Sequence, residues 1–317
     1  MNLLLVCVLI ALPLVGQTAW TPLRTADGQP DLQGVWTNAT ITPLERPAEL
    51  AGKAFFTKAE AAAYEQKVVA DANVDRRRSD ISTDVALAYN EAWWDRGTKV
   101  VKTLRTSLIV DPADGKLPAL TADGERRAAA LAEQARLHPA DGPESRRLTE
   151  RCILWPTAGP PMLPSAYNNN YQIFQSPGYV AIAIEMIHDV RIIPVVTGPL
   201  DNRPHLPSNV RQWLGDARGH WEGNTLVVET TNFTDKTRFR NTSDKLRLTE
   251  RFTRTDADTI LYEFTVDDPA TYTKPWKAQV TMSKSPSRVY EYACHEGNYG
   301  MVGILAGARA EEKGSNK

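Results

Sequence analysis

The period of hydrophobic and polar positions changes near the middle of the chain. From Tyr167 onward apolar and polar residues alternate in twos over successive short runs, the pattern of strands with one buried face. Tyr171 to Ser176 and Tyr179 to Ile187 flank the turn pair Pro177-Gly178. In the second run, alternation places Val180, Ile182, Ile184, Met186 and His188 on one face and Tyr179, Ala181, Ala183 and Glu185 on the other. Val190 to Val196 continues the meander, and a Pro-rich loop carrying Asn202-Arg203-Pro204-His205 follows. In Gly219-His220-Trp221-Glu222-Gly223-Asn224-Thr225-Leu226-Val227-Val228-Glu229, Gly223-Asn224 is a two-residue hairpin signal, because both residue types accept positive φ at little cost. Leu246 to Thr253 and Thr259 to Asp267 are expected to pair across Asp256-Ala257-Asp258. Trp276 to Lys284 and Arg288 to Cys294 are expected to pair across Ser285-Pro286-Ser287.

The first half is mixed. Thr57-Lys58-Ala59-Glu60 has capping-box spacing and opens a helix over about 57–71; further helices are expected over about 84–94 and 123–137. The middle one carries Tyr89, Trp93 and Trp94, an aromatic group read as packing. Thr106 to Val110 and Lys116 to Leu120 flank the turn Asp111-Pro112-Ala113-Asp114-Gly115, and prolines make 139–164 a rigid connector. A glycine-x-tryptophan, Gly34-Val35-Trp36, enters a first strand. This stretch resembles the first strand of lipocalins and related calycin barrels, where the tryptophan closes one end; the resemblance implies a barrel and a cavity and carries no chemistry. With about eight meandering strands beyond Tyr167, the fold class expected is mainly β. An antiparallel meander closes into a calycin- or lipocalin-like barrel, with the helices of the N-terminal half at its mouth or outside. A sandwich is the alternative.

Composition adds compartment rather than chemistry. The 317 residues carry a formal net charge of -1 with scattered basic positions, so no electrostatic footprint for nucleic acid is present, and Arg76-Arg77-Arg78 reads as a solvated helix end. Leu3 to Val15 is an apolar run followed by Gly16-Gln17-Thr18-Ala19, which reads as a signal peptide over 1–19 cleaved after Gly16 or Ala19; 20–317 then forms one domain. That run is too short for a lasting membrane span and no later segment is apolar enough for one. The expected location is therefore periplasmic or secreted. There, Cys152 and Cys294 are expected to form a disulfide, contributing roughly 4 kcal/mol on the loop-entropy account; two buried thiols are the alternative.

Candidate chemistry gathers around the histidines of the β region, each beside a charged residue: His188 with Glu185 and Arg191, His205 after Arg203, His220 with Glu222, and His295 with Glu296. An imidazole oriented by a carboxylate suits acid-base work, so His220, Glu222, His295, Glu296, Glu185 and His188 are the candidate catalytic residues. Trp221, Tyr290, Tyr292, Arg191 and His205 are the candidate ligand contacts. Glu291 reads as a structural partner of Arg251 or Arg288. Spacing argues against a metal site, no phosphate-binding loop implies a cofactor, and no nucleophile elbow is present. The expected partner is a small organic ligand or substrate, apolar or aromatic, in a barrel cavity. An enzyme using His/Glu chemistry, a non-catalytic carrier and a cell-envelope interaction protein all stay open.

From about Asp31 to Ala308 the chain resembles a large group of secreted bacterial proteins. The matching stretches are Asp31-Leu32-Gln33-Gly34-Val35-Trp36, Arg151-Cys152, Arg203-Pro204-His205, Gly219-His220-Trp221-Glu222-Gly223, Thr230-Thr231-Asn232-Phe233, Glu263-Phe264-Thr265-Val266-Asp267-Asp268-Pro269 and Tyr290-Glu291-Tyr292-Ala293-Cys294-His295-Glu296-Gly297-Asn298-Tyr299. The resemblance implies secretion and brings no activity with it.

Overall fold

Alternation does build one antiparallel sheet. The computed structural model describes residues 20–75, 79–80, 82, 91–196, 203–237 and 239–315; the expected signal segment, Arg76-Arg77-Arg78 and most of the helix expected over 84–94 lie outside the described residues. The strands are β1 (Gly34–Thr37), β2 (Ile109–Asp111), β3 (Asn170–Ser176), β4 (Tyr179–Ile184), β5 (Val190–Pro194), β6 (Asp216–Glu222), β7 (Thr225–Thr231), β8 (Arg247–Asp256), β9 (Thr259–Asp267) and β10 (Trp276–Lys284). They run in the order β5-β4-β3-β1-β10-β9-β8-β7-β6, with β2 paired to β10. The two ends of this order meet. Val195, just past β5, bridges Gly219 of β6, and the Val196 N–H donates to the Gly219 carbonyl at 2.8 Å. The ladder is thus a nearly closed barrel and not a sandwich. Gly219 suits this seam because a Cβ there would meet the Val195 and Ile193 side chains at 3.1 and 3.2 Å.

Inward faces fill the ring. Val180, Ile182 and Ile184 of β4, Leu248 and Phe252 of β8, Ile260, Tyr262, Phe264 and Val266 of β9, and Trp276, Ala278, Val280 and Met282 of β10 are all buried. Trp36 of β1 sits between β3 and β10, fully buried, with its indole N–H donating to the Leu32 carbonyl at 2.9 Å. The Arg254 guanidinium lies 5.3 Å from the Trp36 ring and donates to the Asp31 and Ala257 carbonyls, joining the first strand to the β8–β9 turn. The interior also holds charge. Arg191 of β5 reaches across to Glu250 of β8 with two hydrogen bonds of 2.9 and 2.5 Å, and the Tyr262 hydroxyl donates to Glu250 at 2.8 Å. Burial opposes the Arg191 charge, but Glu250 outweighs it and holds the guanidinium above its ordinary value. Burial and the Glu250 charge together push the Tyr262 hydroxyl well up.

The helices lie outside this core. α1 (Lys58–Ala72) opens with the expected capping box: Thr57 accepts from the Glu60 N–H and Glu60 from the Thr57 N–H. It covers a small second core of Phe56, Ala61 and Val100. α2 (Ala122–Leu137) starts at the Thr121 cap, as spacing predicts within one residue. Of the helix expected over 84–94, the described part is one short 3-10 turn, Glu91–Trp93. A C-terminal helix, α3 (Tyr299–Ser315), was not expected. Arg288 to Cys294 forms no strand, in contrast to the expected final hairpin, because β10 already has β9 on one side and β1 and β2 on the other and offers no free edge. Among the described residues no helix is long and apolar enough to cross a membrane.

The buried pair yields a test. Glu250→Ala leaves Arg191 charged in an apolar interior, and unfolding by denaturant should show a loss of about 3–5 kcal/mol. Replacing both, as Arg191→Met with Glu250→Leu, should recover most of it; a double variant as unstable as the single would contradict the pairing.

Candidate functional site

The end of the barrel where β1, β4 and β10 finish and β3 begins carries a cleft of about 930 Å³. Three chain segments build it. The first is the turn after β4. Glu185 is helical in backbone, whereas Ile187 and His188 have φ of 64° and 52°, so the chain turns sharply into β5. A β-branched residue in the left-handed region is strained. Burial of the Ile187 side chain in the core offsets that cost. The turn leaves Glu185 buried against the cleft and His188 exposed.

The second wall is the stretch around Glu91–Trp93. Arg96 clamps it through a double contact to Glu91 and a hydrogen bond to the Ala72 carbonyl at the end of α1. Trp94 packs edge-on against Tyr167, leaving Trp93 65% exposed at the cleft and Asp95 opening onto it. The third wall is residues 285–298, an irregular strap laid over the barrel end. The Ser285 N–H donates to the Val35 carbonyl at 2.8 Å, and the Tyr290 N–H donates to Glu185 Oε1 at 3.1 Å. His188 Nδ1 meets the Tyr292 carbonyl at 2.9 Å, and Asn298 donates to the Glu150 carbonyl at 2.8 Å. Cys294 is bridged to Cys152, the expected disulfide. Bridged, neither sulfur is a nucleophile.

Of the residues singled out from sequence, Glu185, Tyr290 and Tyr292 line this cleft, together with Cys294 and Glu291. His188 and His295 adjoin it, their rings 6.2 Å apart, and Glu296 is exposed on the strap just beyond. The others lie elsewhere. His220 and Glu222 project from the outer face of β6, where Glu222 contacts His220 at 3.2 Å and Arg251 at 2.9 Å; the Arg251 contact, more than the His220 contact, pulls the exposed Glu222 carboxyl down. Glu291, expected to meet Arg251 or Arg288, faces the cleft while Arg251 holds Glu222. His205 bonds Asp216 at 2.9 Å and holds its loop against β6, Trp221 packs on the core, and Arg191 is spent on Glu250. None of His220, Glu222, His205, Trp221 and Arg191 lines the cleft.

Sequence reasoning missed Asp95, Trp93 and Tyr167. Asp95 keeps access to solvent through the cleft, yet the protein around it raises its carboxyl above the ordinary value. The Glu185 charge adds to the rise and hydrogen bonds from Asn169 oppose it. Glu185 itself accepts from the Asn170 N–H at 3.3 Å and the Asn170 amide at 2.8 Å, in addition to Tyr290. The arrangement therefore brings two carboxyl groups, Asp95 and the hydrogen-bonded Glu185, into one cleft with exposed aromatic rings. Two such groups can exchange a proton with a bound molecule, and the rings can stack on one. Among the described residues no group of three or more histidine, cysteine and acidic side chains is arranged to hold a metal.

Comparison with protein-family models, with curated proteins and with solved structures returns no match to this chain.

The Asp95 shift has a sign. The folded chain holds that proton more tightly than the unfolded chain, so the stabilisation it gives is complete below the ordinary carboxylate range and is lost as pH rises through the raised Asp95 value. Asp95→Asn should therefore raise the melting temperature near neutral pH, with the gain disappearing below about pH 3. A lower melting temperature at neutral pH would contradict it.

Proposed function

We propose that this protein binds a small ring-bearing organic molecule in the cleft at the end of the barrel, and that the barrel interior serves only as scaffold. The observation that carries this reading is that Trp93 and Tyr290, 65% and 70% exposed, both line a cleft of about 930 Å³. Large aromatic side chains left in water at a concave site are placed to stack on a ligand. Tyr167 and Tyr292 extend the aromatic lining, and Asn168, Asn170, Ser285 and Ser287 add polar groups for orientation. The packed interior, with Trp36, Tyr171, Tyr262 and Trp276 all at most 1% exposed, supports the cleft as the site over a calycin-like inner cavity. The Cys152–Cys294 bridge supports a location in an oxidising compartment, periplasmic or extracellular.

Acid-base turnover is the second reading. One observation favours it: two carboxyl groups, Asp95 and Glu185, line the same cleft, and burial and the Glu185 charge raise the Asp95 carboxyl above its ordinary value. His220 and Glu222, on the outer wall with Arg251, are outside that chemistry.

A thermal-shift screen of ring-bearing small molecules tests the binding reading. A ligand at a hundredfold excess over its Kd should stabilise the parent by about 2.7 kcal/mol. Trp93→Ala and Tyr290→Ala, both at exposed positions, should fold normally and lose most of that shift. Ligands that stabilise parent and variants equally would place binding elsewhere and overturn the reading.

A further inference from the structure

Among the described residues the barrel buries two glutamates, and only one has a counter-ion there. Glu250, fully buried, is paired with Arg191 through two hydrogen bonds. Glu185, 2% exposed, accepts hydrogen bonds from neutral donors, the Asn170 backbone and amide and the Tyr290 backbone. Among the described residues no lysine, arginine or histidine forms an ion pair with it. A buried charge without an opposite charge is costly, and proteins keep one where something else supplies the partner. Glu185 faces the cleft, as do Asp95 and Glu291, and no basic side chain is among the described residues that line it. The same cleft carries Trp93, Tyr167, Tyr290 and Tyr292, whose ring faces attract cations.

Resting on the binding reading above, we infer that the ligand is an organic cation, an ammonium group carried on or beside a ring, which seats its charge against Glu185 and Asp95 and its ring against Trp93 and Tyr290. The cleft supplies negative charge and π faces and leaves the positive charge to the ligand. A neutral ring of the same size gains the stacking alone, and an anion meets repulsion from three carboxylates.

Calorimetric titration of the full chain at low ionic strength, with benzyltrimethylammonium, benzyl alcohol and phenylacetate as probes, tests this directly. The expected order is benzyltrimethylammonium tightest by at least about tenfold, benzyl alcohol weaker and phenylacetate weakest. Glu185→Gln should weaken the cation by about tenfold and leave benzyl alcohol unchanged. If that variant fails to fold for want of its Tyr290 contact, Asp95→Asn gives the same contrast. Added salt should weaken the cation and spare the alcohol. Benzyl alcohol or phenylacetate binding as tightly as the cation, with loss in Trp93→Ala, would overturn the charge assignment and leave the cleft as the binding site. Cation binding indifferent to Trp93→Ala, or no binding by any probe, would overturn both.

Discussion

The Arg191–Glu250 pair sets what this barrel can be used for. It crosses the interior between β5 and β8 and draws in the Tyr262 hydroxyl, whose ring packs against Phe252 and Phe264. Tyr262 also accepts from the Met162 N–H, so the network reaches into the proline-rich connector that packs beneath the barrel end. Around the pair the interior is lined by buried side chains, among them Phe252, Tyr262, Phe264 and Trp276. Charges buried with all their hydrogen bonds made define a rigid interior, and rigid interiors are where binding sites find their support.

The proposed site lies instead at the rim, where the chain is irregular and several of its backbone groups bond to side chains. Glu185 is the hinge of that arrangement. It ties β3 through Asn170 and the strap through Tyr290, while the disulfide pins the strap five residues before helix α3 begins. The left-handed Ile187 and His188 are the conformational cost of directing Glu185 toward the cleft rather than along the strand. Glu250 and Glu185 differ within one fold: the first is paired with Arg191, and the second is hydrogen-bonded and has no ion-pair partner among the described residues.

Strands were legible because their two faces differ. β9 and β10 fall on the expected residues, since Ile260, Tyr262, Phe264 and Val266, and Trp276, Ala278, Val280 and Met282, alternate without interruption. The strap also alternates, at Tyr290-Glu291-Tyr292-Ala293, but local pattern carries no information about whether a sheet edge is free to receive it. Helix α3 was hidden by Gly300, Gly303 and Gly307, which lower helix propensity. Within the site, Glu185, Tyr290 and Tyr292 stood out by their neighbours, whereas Asp95 follows two tryptophans read as packing and becomes a site residue only when the strap and the β4 turn come to meet it. In the motif Gly219-His220-Trp221-Glu222-Gly223, Gly219 sits at the closing seam, Gly223 in the turn with φ of 59°, and His220 with Glu222 on the outer wall, away from the cleft.

Placement of the ligand at the barrel end rather than inside it is the central claim, and the eight tryptophans provide a direct test. With 5-fluorotryptophan incorporated and each resonance assigned by single replacement, titration with benzyltrimethylammonium should move the Trp93 fluorine signal and leave Trp36 and Trp276, both buried in the interior, where they were. Movement of Trp36 or Trp276 with Trp93 unaffected would contradict the account.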